Sequence, residues 1–182
     1  MRQQILDTAL QLAAKTGWEQ LTLQQIAGAM QISLADIYCH YRQKDDLVEA
    51  WFDRADVAML SAQITAELPA AARLQQAIQH WLAALAPHHK VTGQMLLYKL
   101  EAGHIHLQLG GILRISRTVQ WLREAAHLKV SGIARIGQEL ALSSLFVAVF
   151  IYWLNDSSAA QQRSLALLSR MLQQGHNLAL WR

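Results

Sequence analysis

Apolar residues recur along this chain with a helical period. Ile5, Ala9, Leu12 and Ala13 fall on one face and predict a first helix over 2–16, closed by Gly17 as a left-handed cap. A second start follows in Leu21-Thr22-Leu23-Gln24-Gln25-Ile26. Thr22 can cap it, Gln25 can reach back, and Leu21 can staple onto Ile26. The same pattern then repeats: Ser33 caps a third helix, Asp36 occupies its third position, and Ile32 can staple to Ile37. Two starts only 11 residues apart leave room for one short helix and a turn, which is the helix-turn-helix arrangement.

A fourth helix is expected from near Lys44 to about Ala66, and Pro69 suits the first turn of a fifth. Pro87 separates this from a sixth near 88–101. Gly103 and Gly110-Gly111 interrupt the pattern before a seventh at about 112–128. After a Ser131-Gly132 turn, two long helices near 134–154 and 157–175 finish the chain, with Asn155-Asp156-Ser157 as turn and cap. No segment alternates cleanly with period two. The expected fold is therefore all-α with about nine helices: an N-terminal three-helix helix-turn-helix unit over 1–50 and a larger helical domain over 51–182.

Composition narrows this picture. Hydrophobic residues make up 53% of the chain, enough for a substantial core. The single cysteine, Cys39, excludes a disulfide within the chain and fits a reducing cytoplasm. The N-terminus lacks the pattern of a secretory signal. The longest apolar run, Leu140–Leu154, has 15 residues against the roughly 20 that a membrane span needs, so no span is expected. The net charge of +3 is unevenly spread. Residues 1–50 hold four cations against six anions, a net −2, and residues 51–182 carry +5. Phosphate contacts supply most non-specific DNA affinity, so an acidic head counts against strong binding by one subunit.

The opening ILDTALQLAAKTGW, then TLQQIA, ISLADIYCHY and KDDL, together resemble the TetR family of bacterial transcriptional regulators over about the first 50 residues. The resemblance implies a homodimer whose last two long helices pack as a four-helix bundle. It also implies a palindromic double-stranded DNA operator, released when a small molecule enters the C-terminal domain. Carried over by position, Thr22 caps the second helix and reaches a phosphate, and Ser33 caps the recognition helix. Leu34, Ala35 and Cys39 face the groove, while Tyr38 and His40 meet phosphate or base edges. Tyr41 packs inside, and Lys44 meets the DNA backbone at a helix start. Four positions depart from the family pattern. Met30-Gln31 stands where Ala-Gly is frequent in the turn. Asp36 replaces a hydroxyl, and Gln43 replaces a capping serine.

Several residues carry more than one reading. Asp36 can serve the helix dipole, accept from a cytosine amino group, or mark a head that no longer reads DNA. Cys39, near His40, Arg42 and Lys44, reads as a small hydrophobe before a redox sensor. His80, His88, His89, His104 and His106 share no face or ligand spacing, so no metal is expected. No catalytic triad, phosphate loop or carboxylate pair is present, no cofactor is implied, and an enzyme built on His104 or His106 ranks last. Trp81, Met95, Tyr98, His104 and Trp121 are the candidate lining of a pocket for a small apolar ligand. Leu145, Val149, Tyr152, Trp153, Leu165, Leu168, Met171 and Leu172 form wide apolar surfaces on the last two helices, for a dimer interface, the protomer core, or both.

The leading expectation is a cytoplasmic, ligand-responsive, dimeric repressor. The alternative is a lipid- or isoprenoid-binding protein of the same fold that has lost DNA reading. It rests on the acidic head and on a short similarity of Ile151–Ser157 and Leu168–Leu172 to the C-terminal end of a ubiquinone-biosynthesis protein.

Overall fold

The computed structural model describes residues 1–100 and 105–181, with side chains described outside 99–112. Among these residues there are nine α-helices and no strand: α1 Arg2–Thr16, α2 Leu23–Met30, α3 Leu34–His40, α4 Lys44–Leu60, α5 Ala70–Leu85, α6 His89–Leu100, α7 Ile105–Ala125, α8 Gly132–Leu154 and α9 Gln162–Asn177. Helices α1–α3 stack at one end, with α2 packed on α1 and α3 on α2. Helix α1 also packs on α4 and α6, which ties this end to the larger body. The apolar faces read from sequence merge into one core, from Ile5, Leu6 and Ala9 through Trp51 and Trp81 to Leu168 and Leu172. At its centre Trp81 meets Phe146 and Phe150 edge to face, at centroid distances of 4.9 and 5.2 Å.

Four boundaries differ from the sequence expectation. Gly17 does take a positive φ of 91°, but its ψ of 151° is extended rather than left-handed helical. Helix α4 stops at Leu60, not Ala66. The loop after it is organised from outside, because the Arg73 guanidinium of α5 donates to the carbonyls of Ala66, Leu68 and Ala126. Helix α7 begins at Ile105 and runs through Gly110-Gly111. Each glycine weakens a helix by about 1 kcal/mol, and packing against α4, α5 and α8 outweighs that cost. Helix α9 starts at Gln162, because Ala160 and Gln161 adopt left-handed conformations, φ 52° and 50°. Asp156 holds this junction, its carboxylate accepting from the Ser158 and Ser164 amides at 2.9 and 2.8 Å and from Ser164 Oγ at 2.6 Å. Those bonds hold its carboxyl well below the usual carboxylate range.

Helix α8 spans 23 residues, so by length and composition it is long enough to cross a membrane, unlike the uninterrupted apolar run used in the sequence estimate. One side of it, with Leu142, Leu145, Phe146, Val149, Phe150 and Trp153, is buried in the protein core.

Candidate nucleic-acid interface

Helices α2 and α3 are fixed by reciprocal caps at both starts. The Thr22 amide donates to Gln25 Oε1 at 2.9 Å, and the Gln25 amide donates to Thr22 Oγ1 at 3.2 Å. At α3 the Asp36 amide donates to Ser33 Oγ at 3.1 Å, while Asp36 Oδ2 accepts from the Ser33 amide at 2.8 Å and from Ser33 Oγ at 2.7 Å. The Ser33 hydroxyl and amide hold the Asp36 carboxyl below its ordinary value. The geometry therefore places Asp36 in a capping box, in the first turn where its helix-dipole reading puts it. Between the helices Gln31 sits in the left-handed region, φ 55° and ψ 41°, and Ile32 N–H donates to Ala27 O at 3.1 Å. This is the position where glycine is frequent, and Gln31 holds it under strain.

With both helices fixed, α3 divides cleanly. Ile37 points into the core, and so does Tyr41 just beyond the helix, its hydroxyl donating to Arg2 O at 3.1 Å. Leu34, Ala35, Asp36, Tyr38, Cys39 and His40 are all exposed, as is Thr22. Leu34 and Tyr38, one turn apart on this helix, are 47% and 55% exposed. Together with Leu23, Ala35, Ile37 and Tyr41 they line a shallow apolar depression of about 350 Å³.

Two arginines that sequence reasoning passed over stand at this face. The Arg42 guanidinium lies 4.5 Å from the Tyr38 ring centre, and that of Arg2 lies 5.4 Å from the Tyr41 ring centre. Their distance from the helix in sequence hid one of them; only the packing of α1 on Tyr41 reveals it. Lys44, by contrast, is turned inward. Its ammonium donates to Trp18 O at 2.6 Å and Glu19 O at 3.1 Å, within 5.1 Å of the Trp18 ring centre. Burial pushes its pKa down.

The acid that weighed against DNA is largely committed within the protein. Asp36 caps α3. Asp46 Oδ2 accepts from the Arg42 and Gln43 amides at 2.7 and 3.3 Å, supplying at α4 the cap that Gln43 does not. Asp7 pairs with Arg54 at 2.7 Å, and Glu49 pairs with Arg117 at 3.1 Å.

The other candidate residues scatter. Trp81 is buried and donates to Asp56 Oδ1 at 2.8 Å, and Met95 is fully buried. Tyr98 lines a groove of about 320 Å³ with Thr16–Gln20, Gln94 and Leu97, whereas Trp121 is half exposed on α7. His104 lies outside the described residues. Of the proposed dimer residues, Leu145, Val149, Trp153, Leu168 and Leu172 are buried within the protomer, so they serve its core. Tyr152 is exposed, and Leu165 and Met171 are half-buried. The exposed apolar side of α8 instead carries Ile133, Ile136, Leu140, Ile151 and Tyr152. Periodicity alone could not separate these two sides, because the Leu140–Leu154 stretch of α8 is apolar on nearly every face.

A doubly capped helix-turn-helix ahead of an all-α body defines a DNA-binding transcriptional regulator. Residues 5–51 match the family model for bacterial regulatory proteins of the tetR family. A TetR transcriptional regulator from Nitrosomonas europaea ATCC 19718 is 40% identical, with 97% of this chain and 98% of that one aligned and a TM-score of 0.86. A TetR-like transcriptional regulator from Rhodococcus sp. RHA1 shares the fold at 21% identity, over 96% of this chain and 94% of that one, with a TM-score of 0.57. No curated protein matches the chain. The chain belongs to the TetR family, whose relatives here are transcriptional regulators.

Proposed function

We propose that this protein is a cytoplasmic repressor that binds a palindromic operator as a homodimer and releases it on binding a small apolar ligand. Residues 1–50 form the reading head, and residues 51–182 form the ligand and dimer domain. The observation that carries this reading is the exposed face of α3, Leu34 to His40, held on two capping boxes with Arg42 beside it. The exposed apolar side of α8 supports self-association. Footprinting on the DNA upstream of the protein's own gene tests the reading. Salt-sensitive protection of two half-sites is expected, and protection that ignores sequence sinks it.

The alternative, a lipid binder that has lost DNA reading, drew part of its force from the acidic head and the rest from a short C-terminal similarity. The capping and pairing of Asp7, Asp36, Asp46 and Glu49 give that acid a structural purpose instead.

A further inference from the structure

We infer that the recognition helix selects its site chiefly by apolar contact with thymine 5-methyl groups in the major groove. The inference rests on the DNA-binding reading above and specifies its chemistry. A recognition helix meets base edges with its N-terminal residues. Here the helix opens with Leu34 and Ala35, both exposed, ahead of the capping Asp36. They border the apolar depression that Tyr38 and Leu23 complete. Helix α3, LADIYCH, contains no Arg, Lys, Asn or Gln. The bidentate readings of guanine O6/N7 and of adenine N6/N7 therefore have no donor on this helix. Asp36, the carboxylate on this helix that could accept from cytosine N4, holds the Ser33 amide and hydroxyl through Oδ2. What Leu34 and Ala35 offer the groove is apolar surface, and the apolar group on the major-groove edges is the thymine methyl.

The surroundings fit that occupant. Each tyrosine lining the depression carries a guanidinium over its ring, Arg42 on Tyr38 and Arg2 on Tyr41. Both arginines are exposed, so cations flank an apolar reader. Cations beside such a reader would supply the phosphate contacts that position it.

The test starts from the best-bound duplex recovered from a random pool at low salt. Deoxyuridine replaces thymidine one position at a time, which removes the methyl and leaves every hydrogen-bonding group in place. Wild-type affinity is expected to fall about fourfold for each contacted methyl, the effect of withdrawing one buried methyl-sized group. At such a position 5-methylcytosine, paired with guanine, is expected to bind more tightly than cytosine. In Leu34→Ala the thymidine and deoxyuridine duplexes are expected to bind within about twofold of each other. A merely structural role for Leu34 would weaken both equally and preserve their ratio. If wild type protects one site and binds its thymidine and deoxyuridine forms equally, DNA reading stands and methyl reading is overturned. If no duplex is bound in preference to any other, both fall. The wild-type comparison depends on no variant folding.

Discussion

Three side chains, two in the head and one between α8 and α9, were given roles by position that their surroundings revise or sharpen. Lys44 spends its charge on the carbonyls of Trp18 and Glu19, joining the start of α4 to the loop after α1. Lys44→Met is expected to cost about 1–2 kcal/mol in urea unfolding, from lost charge-assisted bonds. The salt slope of DNA binding should stay unchanged; a slope smaller by about one would return Lys44 to phosphate contact. Gln31 holds a left-handed conformation that costs roughly 1 kcal/mol for a residue with a Cβ. Gln31→Gly should accordingly raise stability by about 0.5–1 kcal/mol by the same measurement, and a loss would mean that the Gln31 side chain has a role of its own. Asp156 has a carboxyl held low by Ser158 and Ser164. A depressed folded value contributes stability above the ordinary carboxylate value of 3.8, and that stability is lost as pH falls through the folded value. Asp156→Asn should lower the thermal midpoint at pH 7 and flatten the acid decline below about pH 4, and an unchanged acid limb would remove Asp156 from this role.

At the scale of elements, the ends of helices matter more than their middles. The chain beyond α9 folds back, with Trp181 Nε1 donating to Leu172 O at 2.9 Å and Gln138 Nε2 to Leu180 O at 2.7 Å. Gly175 makes room for this return, since a Cβ there would overlap the Trp181 indole. Gly175→Ala should expel Trp181, shift its fluorescence to the red and cost about 1–3 kcal/mol. An unshifted spectrum with unchanged stability would show that the indole can slide aside. Nothing in the residue pattern after 175 marks this contact, because it depends on a glycine facing an aromatic six positions later in a reversed chain.

Across the whole molecule, α4 is joined to α7 and α5 by a buried polar knot. Asp56 receives Arg114 at 2.5 Å, Trp81 at 2.8 Å and Thr118 at 3.0 Å, and Arg114 also pairs with Asp53. Burial pushes the Asp56 carboxyl up, and Arg114 offsets only part of that. Removing one partner of a buried pair is costlier than removing both, so Arg114→Met should destabilise by about 3–5 kcal/mol and Arg114→Met with Asp56→Asn by less. A raised carboxyl gives stability that is lost as pH rises through its folded value, so the single variant should weaken as pH climbs above about 4. Thermal unfolding across pH checks both statements, and a double variant no better than the single one would refute the pairing. On the outer side of α8, Leu140→Glu should yield monomers by sedimentation, since Leu140 is exposed and apolar in the protomer.

The local sequence determined the start of the head. Thr22, Gln25, Ser33 and Asp36 act over three residues, so their caps follow from spacing alone, and α1 to α3 lie where the pattern puts them. The count of helices and the all-α class follow from period and breakers for the same reason. Tertiary structure decided what short-range spacing cannot carry. It turned Lys44 inward, brought Arg2 across to Tyr41, and drew the loop after α4 onto Arg73. It also chose which side of α8, apolar on nearly every face from Leu140 to Leu154, meets the core. The first two contacts depend on partners tens of residues away, and the third on an arginine in the next helix, five to seven residues beyond the loop carbonyls it holds. A period of 3.6 gives the face of a helix, but only the packed neighbour says whether that face meets protein, a second copy or DNA.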